Sequence, residues 1–349
     1  MYSTAEETYG PGKLGPGKRK AVGISQEGLV RTEYLATGKT LPLVIRPALE
    51  GVSLPDWVSA NAAFVRERLA RHGAILFRGF GKSSPADFER FIKAAAGDPL
   101  EYVERSSPRH QVSGKVYTST DYPADQVIHL HNENSYQRTW PLKIFFMCVT
   151  PAGQGGETPI ADVRRVLERI SPSVRERFRE KGVLYVRNFS DGLGLSWETV
   201  FQTSDRTAVT DYCVKNGIEA TWRPGNILRT RQVGEAILAH PKTGEEVWFN
   251  HAAFFHVSSL DPLVREVLTE AFGEDELPNN TFYGDGARIE PDVIEHIRNA
   301  YREETVSFAW ERDDILMLDN MMVAHGRAAY RGDRKILVGM AEPFSRASR

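Results

Sequence analysis

Only two cysteines, Cys148 and Cys213, occur among 349 residues. That is too few for a disulfide framework, and neither sits at a metal-type spacing from a second thiol, so the expected setting is a reducing, cytoplasmic one. No window approaches the roughly 18 consecutive apolar residues of a membrane span, and the N-terminus lacks the apolar core of a secretory signal. Charge of one sign is lacking too. Lys plus Arg is 44 against 46 for Asp plus Glu, a net charge of −2, which leaves no excess to attract nucleic acid or an anionic membrane surface. Internal repeats and long linkers are also absent.

What is present is an ordinary globular composition, 41% hydrophobic and 26% charged, enough to bury a sizeable core. Residues 1–30 are the exception. Their Gly, Pro and Lys cluster, Gly10 to Lys20, has almost nothing to bury and reads as a flexible arm. Within it Gly12 to Lys18 mimics a phosphate-binding loop, but Arg19 stands where a Ser or Thr would hold magnesium, and no strand or helix flanks it. Residues 31–349 read as a single domain. Trp57, Ala60, Phe64 and Leu69 suit one helix face ending near Gly73, and Ala74 to Phe77 a buried strand. Ser84, Pro85 and Gly97 bracket a second helix. Further helices are expected at 172–181, 262–272 and 291–302, and strands at 126–131, 143–149, 183–189, 246–250, 305–310, 315–319 and 335–341. Many short strands among fewer helices predict a mainly β fold with helical additions.

Nine histidines occur, and most histidines in any protein merely pack. The first useful group is His129-Leu130-His131-Asn132-Glu133. On a strand, side chains two apart share a face, with backbones about 7 Å apart, so an imidazole and a carboxylate would converge on one metal. His129 shares that face, and spacing alone does not choose between the two histidines. The bland reading is a polar strand end with ordinary hydrogen bonds. The second group raises the weight of the first. An apolar run from Ile315 delivers His325-Gly326-Arg327, and Arg334 follows before Ile336-Leu337-Val338. Two imidazoles and one carboxylate leave a ferrous ion three open positions, the facial arrangement of non-haem oxygenases. A 2-oxo acid chelated there would leave its far carboxylate needing a planar cation such as Arg334. Zinc also accepts two His and one Glu and would point to a hydrolase, although the His-Glu-x-x-His helix of many zinc proteases is missing. A non-catalytic metal-binding protein is the third reading.

Taken together, His131-Asn132-Glu133, Gly155-Gly156-Glu157-Thr158 and Asp319-Asn320 through His325-Gly326-Arg327 to Arg334 resemble the TauD/TfdA family of iron(II)- and 2-oxoglutarate-dependent dioxygenases. His72 to Phe80 and His240 to Gly244 add to the likeness, which runs in family order over about residues 40–345. The resemblance implies a double-stranded β-helix of the jelly-roll or cupin kind, with a helical insertion between the metal-ligand motifs. It implies that His131, Glu133 and His325 bind Fe(II), that Thr158 and Arg334 grip 2-oxoglutarate, and that O2 is the second co-substrate. Two departures stand out. Val338 occupies the place of a second family Arg, and Glu133 replaces the usual Asp, as in the branch that resembles clavaminate synthase and the syringomycin-type aspartyl hydroxylases. A carboxylate at that position also disfavours halogenation.

That branch implies a hydroxylase acting on an amino acid or amino-acid-derived unit, at its β-carbon, free or bound to a carrier protein, in specialised metabolite biosynthesis. Desaturation, ring formation, or oxidation of another small carboxylate remain open alternatives. Arg187, Arg229 and Arg231 are the candidate substrate-binding residues, each of which would otherwise be an ordinary ion-pairing arginine.

Overall fold

The computed structural model describes residues 26–35, 38, 40–101, 111–119, 122–190, 194–273 and 276–346. The expected N-terminal arm and its loop-like Gly12 to Lys18 lie almost wholly outside them. Among the described residues no helix is long and apolar enough to cross a membrane.

An eight-stranded sheet runs in the order Val30–Tyr34, Leu43–Pro47, Ala74–Phe77, Ile315–Asp319, Thr139–Thr150, Lys335–Ser345, Val116–Thr118 and Gln111–Ser113. Its central strands read as continuous apolar runs because both faces are covered. Ile75, Phe77, Phe145, Met147, Ile315 and Met317 pack against helices Leu54–Ala60, Ala62–His72 and Pro85–Ala96. The alternate residues Leu76, Ile144, Phe146, Leu316, Leu318 and Val338 meet Ile160 and Val323 of a second sheet. That second sheet, of four strands, runs Thr305–Val306, Ile160–Asp162, Val323–Arg327 and Ile128–His131. Two facing antiparallel-rich sheets of this kind form the expected double-stranded β-helix. The Pro85–Ala96 helix closes as its sequence predicts, with Ser84 and Asp87 exchanging backbone and side-chain hydrogen bonds and Gly97 as C-cap.

Three expectations need correcting. The helix expected from Trp57 to Gly73 is two helices that meet at Asn61, which caps both. The apolar run from Ile315 to His325 is not one strand. It breaks at residues 320–322, and its two halves belong to different sheets. The expected strand 305–310 shrinks to Thr305–Val306. The segment between Glu133 and His325 also holds more than helices, since Glu219–Arg223, Ile227–Gly234, Val183–Phe189 and Asn279–Tyr283 form a four-stranded sheet there. Ile227–Gly234 and Asn279–Tyr283 were hidden because runs of consecutive polar residues, Arg229 to Gln232 and Asn279 to Thr281, interrupt the alternation that marks a half-buried strand.

Candidate metal centre and adjoining pocket

The strand Ile128–His131 is an edge strand that pairs with Val323–Arg327, placing His325 directly opposite His131. Close pairing needs glycine after the second histidine, because a Cβ on Gly326 would lie 2.6 Å from the Ile128 carbonyl oxygen. The two imidazole centroids are 4.6 Å apart. His131 Nδ1 lies 2.9 Å from the His129 carbonyl oxygen. An N–H donated there fixes the tautomer and leaves Nε2 with a lone pair for a metal. His129 itself is exposed and stands outside the group formed by His131, Glu133 and His325.

Glu133 reaches the histidines by a different route from the one its spacing suggested. The strand ends at His131, and Glu133 lies in the turn that follows, with Asn134 at φ 57°. Asn320 holds that turn. Its Oδ1 accepts from the Glu133 amide at 2.8 Å, its Nδ2 donates to the carbonyls of Glu133 and Pro141, each at 2.9 Å, and its own carbonyl accepts from Asn132 Nδ2 at 2.6 Å. The break in the 315–325 run thus performs two tasks. It carries His325 across to the second sheet and delivers Asn320 to the ligand turn. One ligand atom each from His131, Glu133 and His325 lies within 4.8 Å of the others, and Glu133 is 3% exposed with an oxygen 4.0 Å from His325 Nε2. A buried carboxylate beside two imidazoles is a donor set suited to a divalent ion.

Loss of the turn clamp should therefore weaken metal binding without removing a ligand. Asn320→Ala is expected to lower ferrous affinity by about 10–100-fold, the range for outer partners of metal ligands, and anaerobic iron titration measures it. Wild-type affinity in a folded variant would show that the turn holds itself.

Beside the histidines lies a cavity of about 40 Å³ lined by His131, Phe146, Thr158, His325, Arg327 and Arg334, among others. Thr158 Oγ1 accepts from Trp310 Nε1 at 3.1 Å, which leaves the hydroxyl proton available to a ligand. Arg334 Nε donates to the Gly156 carbonyl at 2.8 Å, and among the described residues no carboxylate pairs with this guanidinium. Burial first, then the nearby charge of Arg327, pulls its pKa down to about 10, so it is still a cation at neutral pH. Gly156 has φ 75°, and a Cβ there would press on Arg334 Cδ at 3.0 Å; Gly156 is thus needed to seat the arginine. A buried cation with a hydroxyl donor facing the same small cavity fits one carboxylate.

Of the three substrate candidates, Arg187 is opposite Thr230 in the strand pair, whereas Arg229 and Arg231 are opposite Asn188 and Val186. Strand alternation places Arg187 on one face and the other two on the reverse. Arg231 lies 3.7 Å from Glu219, and Arg229 3.8 Å from Glu276. Arg187 instead lies over the Tyr136 ring at 5.1 Å, and Tyr136 stacks on His251 at 5.0 Å. His251 was not singled out by its sequence. It is buried, its Nδ1 is 2.6 Å from Ser135 Oγ, and burial, followed by the charges of His131 and Arg187, holds its pKa well below the ordinary histidine value. Its ring lies 5.9 Å from that of His131, so a neutral imidazole backs the metal site.

Residues 37–341 match the family described as taurine catabolism dioxygenase TauD, TfdA family. The chain is 41% identical over 310 residues to the dapdiamide synthesis protein DdaC of Enterobacter agglomerans, covering 86% of this chain and 94% of that one. It is 30% identical over 326 residues to a clavaminate synthase-like protein of Arabidopsis thaliana, covering 87% and 94%. In structure it resembles the PvcB protein of Pseudomonas aeruginosa, with a TM-score of 0.51 and 15% identity over 85% of this chain and 84% of that one, a likeness of fold.

Proposed function

Because the chain belongs to the TauD/TfdA family and is an iron- and 2-oxoglutarate-dependent dioxygenase, we propose that it hydroxylates an unactivated C–H bond, at the β-carbon, of an amino acid or amino-acid-derived unit. The unit is taken free or on a carrier protein, in the making of a specialised metabolite. The name of the 41% identical relative, a dapdiamide synthesis protein, supports a biosynthetic setting.

The single observation that carries the site assignment is that His131 and His325, which group with Glu133, line one small cavity together with Arg334, a cation that pairs with no carboxylate among the described residues. His131, Glu133 and His325 would hold Fe(II), and Thr158 and Arg334 would hold the distal carboxylate of 2-oxoglutarate. With these bound, iron supplies oxidation of the C–H bond coupled to decarboxylation of 2-oxoglutarate to succinate by O2. The chain's own groups do the positioning. Arg334, seated by Gly156, neutralises the far carboxylate and sets the reach of the co-substrate, and Thr158, its lone pair engaged by Trp310, turns its proton to the same end. Glu133 offsets one charge of the ion. Phe146, 5.1 Å from the His325 ring, walls the site and helps keep water out.

Anaerobic titration of the apoprotein with ferrous iron and 2-oxoglutarate tests this reading through the weak visible charge-transfer band of the chelate. The band is expected in the wild type and, in Arg334→Ala, only at much higher 2-oxoglutarate. The same titration should weaken as pH rises through about 10, because Arg334 then loses its proton. No band in the wild type would sink the reading.

A further inference from the structure

The cavity that holds Arg334 is about 40 Å³, room for the tail of a co-substrate and little else, so the molecule to be oxidised must be recognised elsewhere. A second cavity, of about 300 Å³, borders the edge strand, and Ile128, Leu130, Pro159, Trp248, Phe254 and Tyr301 give it a mainly apolar lining. The Phe254 ring is 4.7 Å from that of His131, so one ring separates this space from the metal cluster. Ile128 lines both cavities, which therefore meet at its side chain.

Two arginines line this space, and one of them, Arg302, is paired with Glu295. Arg298, half-buried on the helix Pro291–Glu304, makes a single long contact to the Ala253 carbonyl at 3.4 Å. The carboxylate nearest along its helix, Glu295, is already bonded to Arg302, and no described carboxylate lies within ion-pairing distance of Arg298. Burial accordingly lowers its pKa. A largely dehydrated guanidinium without a counter-ion is costly unless an anion arrives with the ligand. A larger cleft of about 540 Å³ borders Ser135, Tyr136 and Trp140, but its arginines and lysine are largely satisfied, Arg179 by Glu246 and Lys181 by Asp285. It also reaches His131 only through Tyr136 and then His251.

We propose that the cavity between the strand Ile128–His131 and the helix Pro291–Glu304 is the recognition pocket for the oxidised molecule, taking an apolar body whose carboxylate pairs with Arg298. This rests on the oxygenase reading and names its substrate class as an amphipathic carboxylate. The reacting carbon reaches the metal side past Ile128, and Arg298 fixes the opposite end.

The test uses octanoate and its neutral isostere octanamide as probes, titrated calorimetrically into the full chain loaded anaerobically with ferrous iron and 2-oxoglutarate. Octanoate should bind about tenfold tighter or more than octanamide. Arg298→Gln should erase the difference, and Arg298→Lys should keep part of it, while the chelate band shows both variants folded. An equal preference in Arg298→Gln, no binding of either probe, or octanoate displacing 2-oxoglutarate would each overturn the pocket. A missing chelate band in the wild type sinks the oxygenase reading alone, because the preference for octanoate can still be read in the metal-free protein.

Discussion

Asp319→Ala is expected to cost the fold about 3–5 kcal/mol, the usual penalty for removing one partner of a buried ion pair. Asp319 is 1% exposed and Lys143 4%. Lys143 Nζ donates to Asp319 Oδ2 at 2.6 Å, and His240 Nε2 lies 3.3 Å from the same oxygen. The other carboxylate oxygen accepts from the Met321 amide, and the Asp319 amide donates to the Gly73 carbonyl. Alanine would leave a buried ammonium with only Glu342, at 4.0 Å, to answer it, and would loosen the turn from which Asn320 reaches Glu133. Urea denaturation followed by circular dichroism reads the loss. Replacing both partners, as in Lys143→Met with Asp319→Leu, should recover much of it, since apolar pairs often match buried ion pairs; a double variant as weak as the single one would mean that the turn bonds matter more than the charge. Burial alone would raise the Asp319 pKa, but Lys143 and then His240 hold it at about 2. A depressed carboxylate stabilises the fold above its unfolded value of about 3.9, and the contribution is lost as pH falls through about 2.

The second large effect is on turnover. Glu133→Ala and His325→Ala each remove a proposed ligand, and ferrous affinity and succinate release should fall beyond the about 10–100-fold expected for outer partners. The matched control is His129→Ala. His129 shares the short histidine motif but is exposed, and its carbonyl, not its ring, orients His131, so this variant should bind iron and turn over 2-oxoglutarate within about threefold of the wild type, as for a surface change. Iron content by metal analysis, beside succinate release, separates lost metal from lost chemistry. A His129→Ala protein as dead as His325→Ala would reverse the assignment.

Much of the site was legible because it is built from short local pieces. His131 and Glu133 are two residues apart, Gly155 to Thr158 is one turn, and Arg334 follows His325 by nine residues, so residue type and order carried the resemblance. The strands Val183–Phe189 and Ile315–Asp319 and the helices Pro85–Ala96 and Pro172–Lys181 matched expectation because periodicity, caps and glycine stops are local signals. What the local signals did not give is the destination of the chain after Asp319. The expected strand ends there, but hydrophobicity does not reveal that Val323–Arg327 joins a different sheet.

Residue chemistry alone determined that this chain carries two imidazoles, a carboxylate and a basic group in an order suited to an iron- and 2-oxoglutarate-dependent oxygenase. Only the tertiary structure decided which of His129 and His131 faces the cluster, that Asn320 clamps the Glu133 turn, that Arg187 lies on the opposite face from Arg229 and Arg231, and that Arg298 lines an apolar cavity with no carboxylate partner among the described residues. Each of those facts depends on hydrogen-bond register or packing between segments far apart in the chain, such as His131 opposite His325, and no local period encodes such a pairing.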